Sequence, residues 1–322
     1  MRVVILKNYG DAEVLQLEKR EKPQPKENEV LIKVAASGLN RADISQRKGH
    51  YPAPKGTPQN ILGLEVSGTV EAKGDQVNQW EVGQQVCALL PGGGYAEYVT
   101  IDAGSCLPIP KNYDLIDAAS LPEVLFTVWH NVFQRGRLQK GEEVFVYGGS
   151  GGIGSMAIQL INLFGASVNT LASTEQKIAY CRALGAKKVL NYTSENILEQ
   201  LGRDSMDLIF DSFGGDYLST NLEMLKIEGR LVYINAMLGG FPKIELFKMM
   251  QKRLWITGST LRSRAYSFKA QLADEIKVKA YPLLEDKRFT NMVTRRFPVE
   301  KVVEAHQLMG SRDFLGKIIL TF

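Results

Sequence analysis

The chain has 322 residues, with 39 Lys and Arg against 35 Asp and Glu, a formal net charge of +4 and 44% hydrophobic residues. That length accommodates two cores, so two domains are the default. The two signs are interspersed with no basic tail, which argues against capture of nucleic acid or a membrane surface, and no run is apolar enough to span a bilayer. Three cysteines, Cys87, Cys106 and Cys181, lie far apart without a C-x-x-C pair. Their spacing argues against a disulfide framework or a thiolate zinc cage and favours a reducing compartment. The opening run Met1 to Lys7 is too short for a signal peptide, and the expected location is the cytoplasm.

From Met1 to about Leu115 short β-like runs are broken by Gly, Pro and Asn: Val3 to Leu6, Val14 to Leu17, Val30 to Ala35, Gly68 to Ala72, Gln85 to Leu90 and Tyr95 to Ile101. This predicts a compact β-rich domain. The third run ends in a loop carrying Asn40-Arg41-Ala42-Asp43, and a second loop follows from Gly49 to Gly56. Around Asp117 the texture turns helical, and from Val144 strands alternate with helices. Strands are expected at Val144, Val168 to Leu171, Lys188 to Leu190, Leu208 to Asp211, Arg230 to Ile234 and Trp255 to Thr260. Between them lie helices at Ile153, Gln176 to Leu184, near Ile197 and Tyr217 to Leu225. Such alternation predicts an α/β doubly wound parallel sheet of dinucleotide-binding topology. Beyond it come a long helix from Ala270 to Leu284, a strand at Thr294 to Phe297, a helix from Val299 to Met309 and a last strand from Gly316 to Phe322.

One stretch organises this reading. Val144 to Tyr147 forms a buried strand, Gly148-Gly149-Ser150-Gly151-Gly152 a loop almost wholly of glycine, and Ile153 onward an amphipathic helix. Gly149, Gly151 and Gly154 satisfy G-x-G-x-x-G: a tight turn, close approach of the backbone to a pyrophosphate, and close packing of helix on strand. The bare amides and the helix macrodipole hold an anion without a basic side chain. A methyltransferase using S-adenosylmethionine shares this glycine placement, so the loop alone leaves that class open.

The chain as a whole resembles the zinc-independent medium-chain reductases of the quinone oxidoreductase (zeta-crystallin-like) type. The resemblance rests on Ala35 to Asp43, Gly63-Leu64-Glu65-Val66-Ser67-Gly68, Gly148 to Gly154, Leu184-Gly185-Ala186, Asn191-Tyr192, Asp211-Ser212-Phe213-Gly214-Gly215, Gly229 to Val232 and Gly316-Lys317-Ile318. Asn40 to Arg47 and Thr260 to Arg264 look most like the p53-inducible quinone oxidoreductases. The resemblance implies a GroES-like catalytic domain over residues 1–117, completed by 268–322, and a Rossmann domain over 118–267, with the acceptor between domains and a homodimer formed through the Trp255 to Thr260 strand. In zinc-dependent members of the superfamily a Cys, a His and a Cys or acid ligate the catalytic zinc; their positions here are Asn40, Leu64 and about Glu123. Leu64 has no lone pair and Asn40 is a poor zinc ligand, so no metal is expected. Without a Lewis acid the reading moves from alcohol oxidation to reduction of a quinone or an α,β-unsaturated carbonyl.

The stretch Val168 to Thr174 carries no Asp or Glu for a ribose 2′-hydroxyl. Ser173 and Lys177 suit a 2′-phosphate, and the resemblance adds Tyr192, so NADPH is the expected cofactor. Ser173 also reads as a helix N-cap with Gln176 three residues on. The resemblance places Asn40 and Asp43 in the loop facing the nicotinamide, and the expected cofactor set is Asn40, Gly149, Ser150, Gly151, Gly152, Ile153, Gly154, Ser173, Lys177, Tyr192, Met237, Leu238 and Lys317. Tyr51 is either a proton donor to the acceptor oxygen or a pocket wall. Asp43 is expected to pair with Arg41 or Arg47, and Arg262 to reach the pyrophosphate or steady a loop. His50, His130 and His306 are isolated, and no Ser-His-Asp or Cys-His order appears. The leading expectation is an NADPH-dependent quinone reductase. The alternatives are an alkenal or enone reductase and a non-catalytic NADPH-binding protein with a regulatory or RNA-binding role.

Overall fold

The computed structural model describes residues 1–322 and divides them into two compact units. The first comprises Met1–Phe126, Leu261–Glu285 and Asn291–Phe322; the second comprises Thr127–Thr260 and Asp286–Thr290. The first boundary therefore falls after Phe126 instead of 117. The helix starting at Pro122 belongs to the first unit at its N-terminal end, because the Glu123 amide donates to the Glu65 carboxylate at 2.8 Å.

In the first unit β1 (Arg2–Leu6) pairs with β2 (Leu15–Lys19). A larger seven-stranded sheet contains β3 (Glu29–Gly38), β4 (Glu65–Lys73), β5 (Gln85–Leu89), β6 (Tyr98–Asp102), β7 (Cys106–Pro108), β14 (Val293–Pro298) and β15 (Lys317–Thr321). Its order is β14-β15-β3-β4-β5-β7, with β6 also on β3. The C-terminal strand thus lies beside the end of β3: the Leu39 amide donates to Ile318 O at 2.9 Å, and Ile319 faces Gly38. One core layer contains Val30, Ile32, Val66, Val70, Val86 and Ile101; another packs Leu39, Leu62 and Tyr95 on Val302 and Ala305 of a C-terminal helix. Burying such side chains contributes roughly 1.5–3 kcal/mol each.

The segment after β3 is helical, not a loop: α1 spans Arg41–Arg47. Asp43 reaches back to the Asn40 amide at 2.8 Å, which is half of a capping box. The Asn40 side chain is engaged elsewhere. Near the boundary, α2 (Pro122–Val128) runs into a π-helical segment at Trp129–Arg135.

In the second unit β8 (Glu143–Val146), β9 (Ser167–Ala172), β10 (Lys188–Asn191), β11 (Met206–Asp211), β12 (Leu225–Tyr233) and β13 (Trp255–Gly258) form one sheet in the order β10-β9-β8-β11-β12-β13. Every pairing is parallel. This is the dinucleotide-binding order, and β8 sits at the switch point where a ligand crevice opens. Helices α3 (Gly152–Phe164), α4 (Glu175–Ala183), α5 (Ile197–Leu201), α6 (Tyr217–Met224) and α7 (Leu246–Gln251) occupy the connections. The core includes Phe145, Leu171, Leu190, Ile209, Leu222 and Leu231. The helix expected from Ala270 to Leu284 is two helices, α8 (Tyr266–Lys279) and α9 (Tyr281–Leu284), broken before Pro282, whose ring lacks the N–H a continuous helix needs. A final helix, α10 (Val302–Ser311), precedes β15. No helix is long and apolar enough to cross a membrane.

Candidate active site

The glycine loop of the second unit is shaped by what a side chain would hit. A Cβ on Gly149 would overlap Thr170 Oγ1 and lie 3.0 Å from Cys181 Sγ, and one on Gly154 would lie 2.6 Å from Gly149 Cα. These two glycines bring the loop down onto β9 and α3 onto β8. Gly151 differs: a Cβ there meets nothing within 4 Å. It is also the N-cap of α3, with no side chain capping the first turn, so the N–H groups of Gly152, Ile153 and Gly154 are not claimed by a cap. An open glycine before uncapped amides is an anion cradle.

At the end of β9 the N-cap of α4 is Thr174, which accepts from the Lys177 amide at 3.3 Å; Ser173 is not the cap. Ser173 and Lys177 are partly exposed, as is Tyr192, whose ring meets Phe213 edge-on at 6.2 Å. Glu175 lies exposed in the first turn of α4. Beyond β11, the buried Asp211 accepts from the Phe213 and Gly214 amides at 2.6 and 3.0 Å and from Asn221 Nδ2 at 2.8 Å. Asn221 in turn accepts from the Tyr147 hydroxyl at 2.7 Å. Gly214 and Gly215 have φ of +64° and +62°, which suits glycine. The Gly215 and Leu238 amides donate to Gly239 O and Phe213 O, and this pairing holds out Met237 and Leu238, 40% and 56% exposed. In the sequence Asp211 shows only as part of a motif, and its anchoring role has no local signal.

In the first unit a buried polar network surrounds Asn40. Its Nδ2 donates to Glu65 Oε1 at 2.8 Å, and its Oδ1 accepts from Lys317 Nζ at 2.8 Å. Lys317 also donates to Leu39 O at 3.1 Å and to Glu65 Oε1. Gly38 makes room, since a Cβ there would overlap that carboxylate. Asp43 does not pair with Arg41 or Arg47. Its Oδ1 accepts from the Gly63 amide at 3.1 Å, its Oδ2 from the Asn40 amide and from the Tyr95 hydroxyl at 3.2 Å, and burial pushes its pKa up to about 6. Tyr95 lies 3.1 Å from His306 Nε2, and Arg47 Nη1 lies 3.3 Å from Nδ1. A guanidinium only donates, so Nδ1 accepts and the proton sits on Nε2.

Tyr51 is half-buried, with the Arg262 guanidinium 5.0 Å from its ring centroid. Arg262 steadies loops: it donates to Pro91 O, Tyr51 O and Gln46 Oε1. Burial raises the Tyr51 pKa, so the phenol keeps its proton at neutral pH. No hydrogen bond engages its hydroxyl within the chain, which leaves a donor for a ligand.

A GroES-like first unit and a six-stranded Rossmann sheet are the architecture of the medium-chain dehydrogenase/reductases, whose fold binds a nicotinamide cofactor. Residues 26–111 match the alcohol dehydrogenase GroES-like domain, and 152–277 match the zinc-binding dehydrogenase family. A quinone oxidoreductase of Pseudomonas aeruginosa is 30% identical, covering 97% of each chain. The crystal structure of an NAD-dependent alcohol dehydrogenase superposes with a TM-score of 0.87 at 28% identity, covering 100% of both chains. That of the Escherichia coli quinone oxidoreductase complexed with NADPH gives 0.89 at 24%, again over 100% of both, a likeness of fold. The chain belongs to the quinone oxidoreductase family of this class.

The zinc implied by one family description does not fit the residues present. Leu64, 2% exposed, offers no lone pair, and the Asn40 and Glu65 oxygens already accept from Lys317. Zn²⁺ asks for three N, S or anionic O ligands and an open position. No group of three His, Cys, Asp or Glu is close enough to hold an ion.

Proposed function

We propose that this oxidoreductase is an NADPH-dependent quinone reductase working without zinc. The observation that carries the cofactor choice is the end of β9: the stretch Val168 to Thr174 holds no carboxylate, Thr174 takes the capping role, and Ser173, Lys177 and Tyr192 lie partly or fully exposed. The diphosphate belongs at Gly149 to Gly154, with the nicotinamide against Met237 and Leu238. When bound, NADPH supplies a hydride. Tyr51 donates a proton to the acceptor oxygen as the hydride arrives, and Asp43 holds the Asn40 backbone in place. Quinones and enones accept hydride without a Lewis acid, which agrees with the donor set around Asn40.

The test is a fluorescence titration with NADPH and NADH, followed by NADPH oxidation with a panel of quinones and enones. NADPH should bind more tightly. Lys177→Ala should weaken NADPH about tenfold and leave NADH unchanged, an exposed charge-assisted contact contributing about 1.5 kcal/mol. Equal binding of the two cofactors overturns the choice; turnover of enones alone moves the reading to double-bond reduction, and tight binding without any turnover to a binding protein.

We also read the chain as a cytoplasmic homodimer. Three free, buried cysteines suit a reducing compartment. At the sheet edge β13 pairs only with β12, and the preceding segment exposes Phe241, Leu246, Phe247 and Met250, next to Trp255 at 54%. An unprotected edge beside apolar surface favours pairing with a second copy.

A further inference from the structure

The ammonium of Lys317 sits against Asn40, one of the positions that resemblance aligns with a zinc ligand of the zinc-dependent relatives, and it is saturated. A lysine has three N–H donors, and here they meet three acceptors: Leu39 O and Asn40 Oδ1 beyond β3, and Glu65 Oε1 at the start of β4. Lys317 is 2% exposed and Glu65 0%. Both oxygens of the carboxylate are engaged as well, with Oε1 taking Lys317 and Asn40 Nδ2, and Oε2 taking the Glu123 amide at 2.8 Å. A buried pair this completely bonded is strongly destabilised when one partner is lost, because the other charge is stranded.

We propose that Lys317 is a built-in cation: it positions the Asn40 carboxamide and makes no contact of its own with the cofactor. The carboxamide lies between opposite charges, its oxygen toward the ammonium and its nitrogen toward the carboxylate, so it has one orientation. One of its two Nδ2–H bonds is spent on Glu65, and the other remains for an acceptor oxygen on a ligand. A divalent ion finds the Asn40 Oδ1 and Glu65 oxygens already bonded and meets a like charge. This rests on the proposed function, since resemblance counts Asn40 among the residues of the reaction, and it replaces the cofactor contact that resemblance gave to Lys317.

The experiment compares full-length Lys317→Met, Glu65→Gln and the double variant with wild type, in four measurements: melting temperature, NADPH affinity by fluorescence, kcat, and zinc content after dialysis against Zn²⁺. Lys317→Met should lower the melting temperature by about 6 °C or more, and adding Glu65→Gln should restore at least about half of that loss. NADPH affinity should change by less than about threefold while kcat falls about tenfold or more. Wild type should retain no stoichiometric zinc. Three results overturn the proposal: unchanged melting and kcat in Lys317→Met; affinity weakened about tenfold with kcat kept, the mark of direct cofactor contact; or one bound zinc per wild-type chain. If the single variant does not fold, folding of the double supports the pairing and failure of both overturns it. Absence of any turnover by wild type sinks the quinone reading alone, because the melting cycle and zinc content still decide this one.

Discussion

His306 is fully buried with Arg47 on one ring nitrogen and Tyr95 on the other, and burial together with the Arg47 charge pushes its pKa from 6.5 down to about 3. An unfolded chain binds a proton there below pH 6.5 and the native one does not, so stability is lost as pH falls from 6.5 towards 3. At pH 5 that loss is about 2 kcal/mol. Asp43 runs the other way. Its folded pKa of about 6 stands above 3.8, so its contribution is full below 3.8 and lost as pH rises through 6. His306→Gln removes only the first effect. The gap in urea-unfolding free energy between wild type and His306→Gln should therefore be about 2 kcal/mol smaller at pH 5 than at pH 7.5; an equal gap at both would mean a charged native imidazole. Tyr51→Phe removes a hydroxyl with no partner in the chain. It should leave stability within about 0.5 kcal/mol of wild type and lower kcat on quinones about a hundredfold. Unchanged kcat would make the ring a wall.

Among the elements, the strand, loop and helix from Glu143 to Phe164 are sharply divided between packing and binding. Gly154→Ala pushes a methyl into the Gly148 carbonyl and the Gly149 backbone, so it should cost about 2–3 kcal/mol in thermal unfolding. Gly151→Ala meets open space at a φ of −87°, where alanine is at ease. That variant should melt within about 2 °C of wild type yet bind NADPH about tenfold more weakly, because the methyl occupies the approach of the phosphates. Loss of stability with affinity retained would remove the diphosphate from this turn. The loop, α3 and the strands flanking them were legible because their apolar residues follow the periods of strand and helix. Helix α1 was not: Arg41, Asp43, Ser45, Gln46 and Arg47 look like a polar loop, and only the bond from the Asn40 amide to Asp43 and the burial of Ile44 explain its turn. Strand β7 was missed because three residues ending in Pro108 at a sheet edge carry too short a pattern.

For the whole molecule, the sequence announced a β-rich unit and a parallel sheet. It did not announce which side chains meet across the chain, since the bonds from Lys317 to Asn40 and to Glu65 span 277 and 252 positions, with no local signal. Assembly is open to test at this scale. Sedimentation at micromolar concentration should show a dimer, and Trp255→Lys, a charge on the free edge of β13, should shift it to monomer; a wild-type monomer refutes the pairing. The discontinuity of the first unit has a consequence during synthesis. At translation rates of roughly 5–20 residues per second, β15 emerges about 15–55 s after Asn40, by which time Thr127–Thr260 is already out and has most of its own contacts to hand. The middle of this polypeptide is therefore ready to fold before its beginning. Until the last strand arrives, the nascent β3 keeps an unzipped flank and Glu65 waits without its counter-charge.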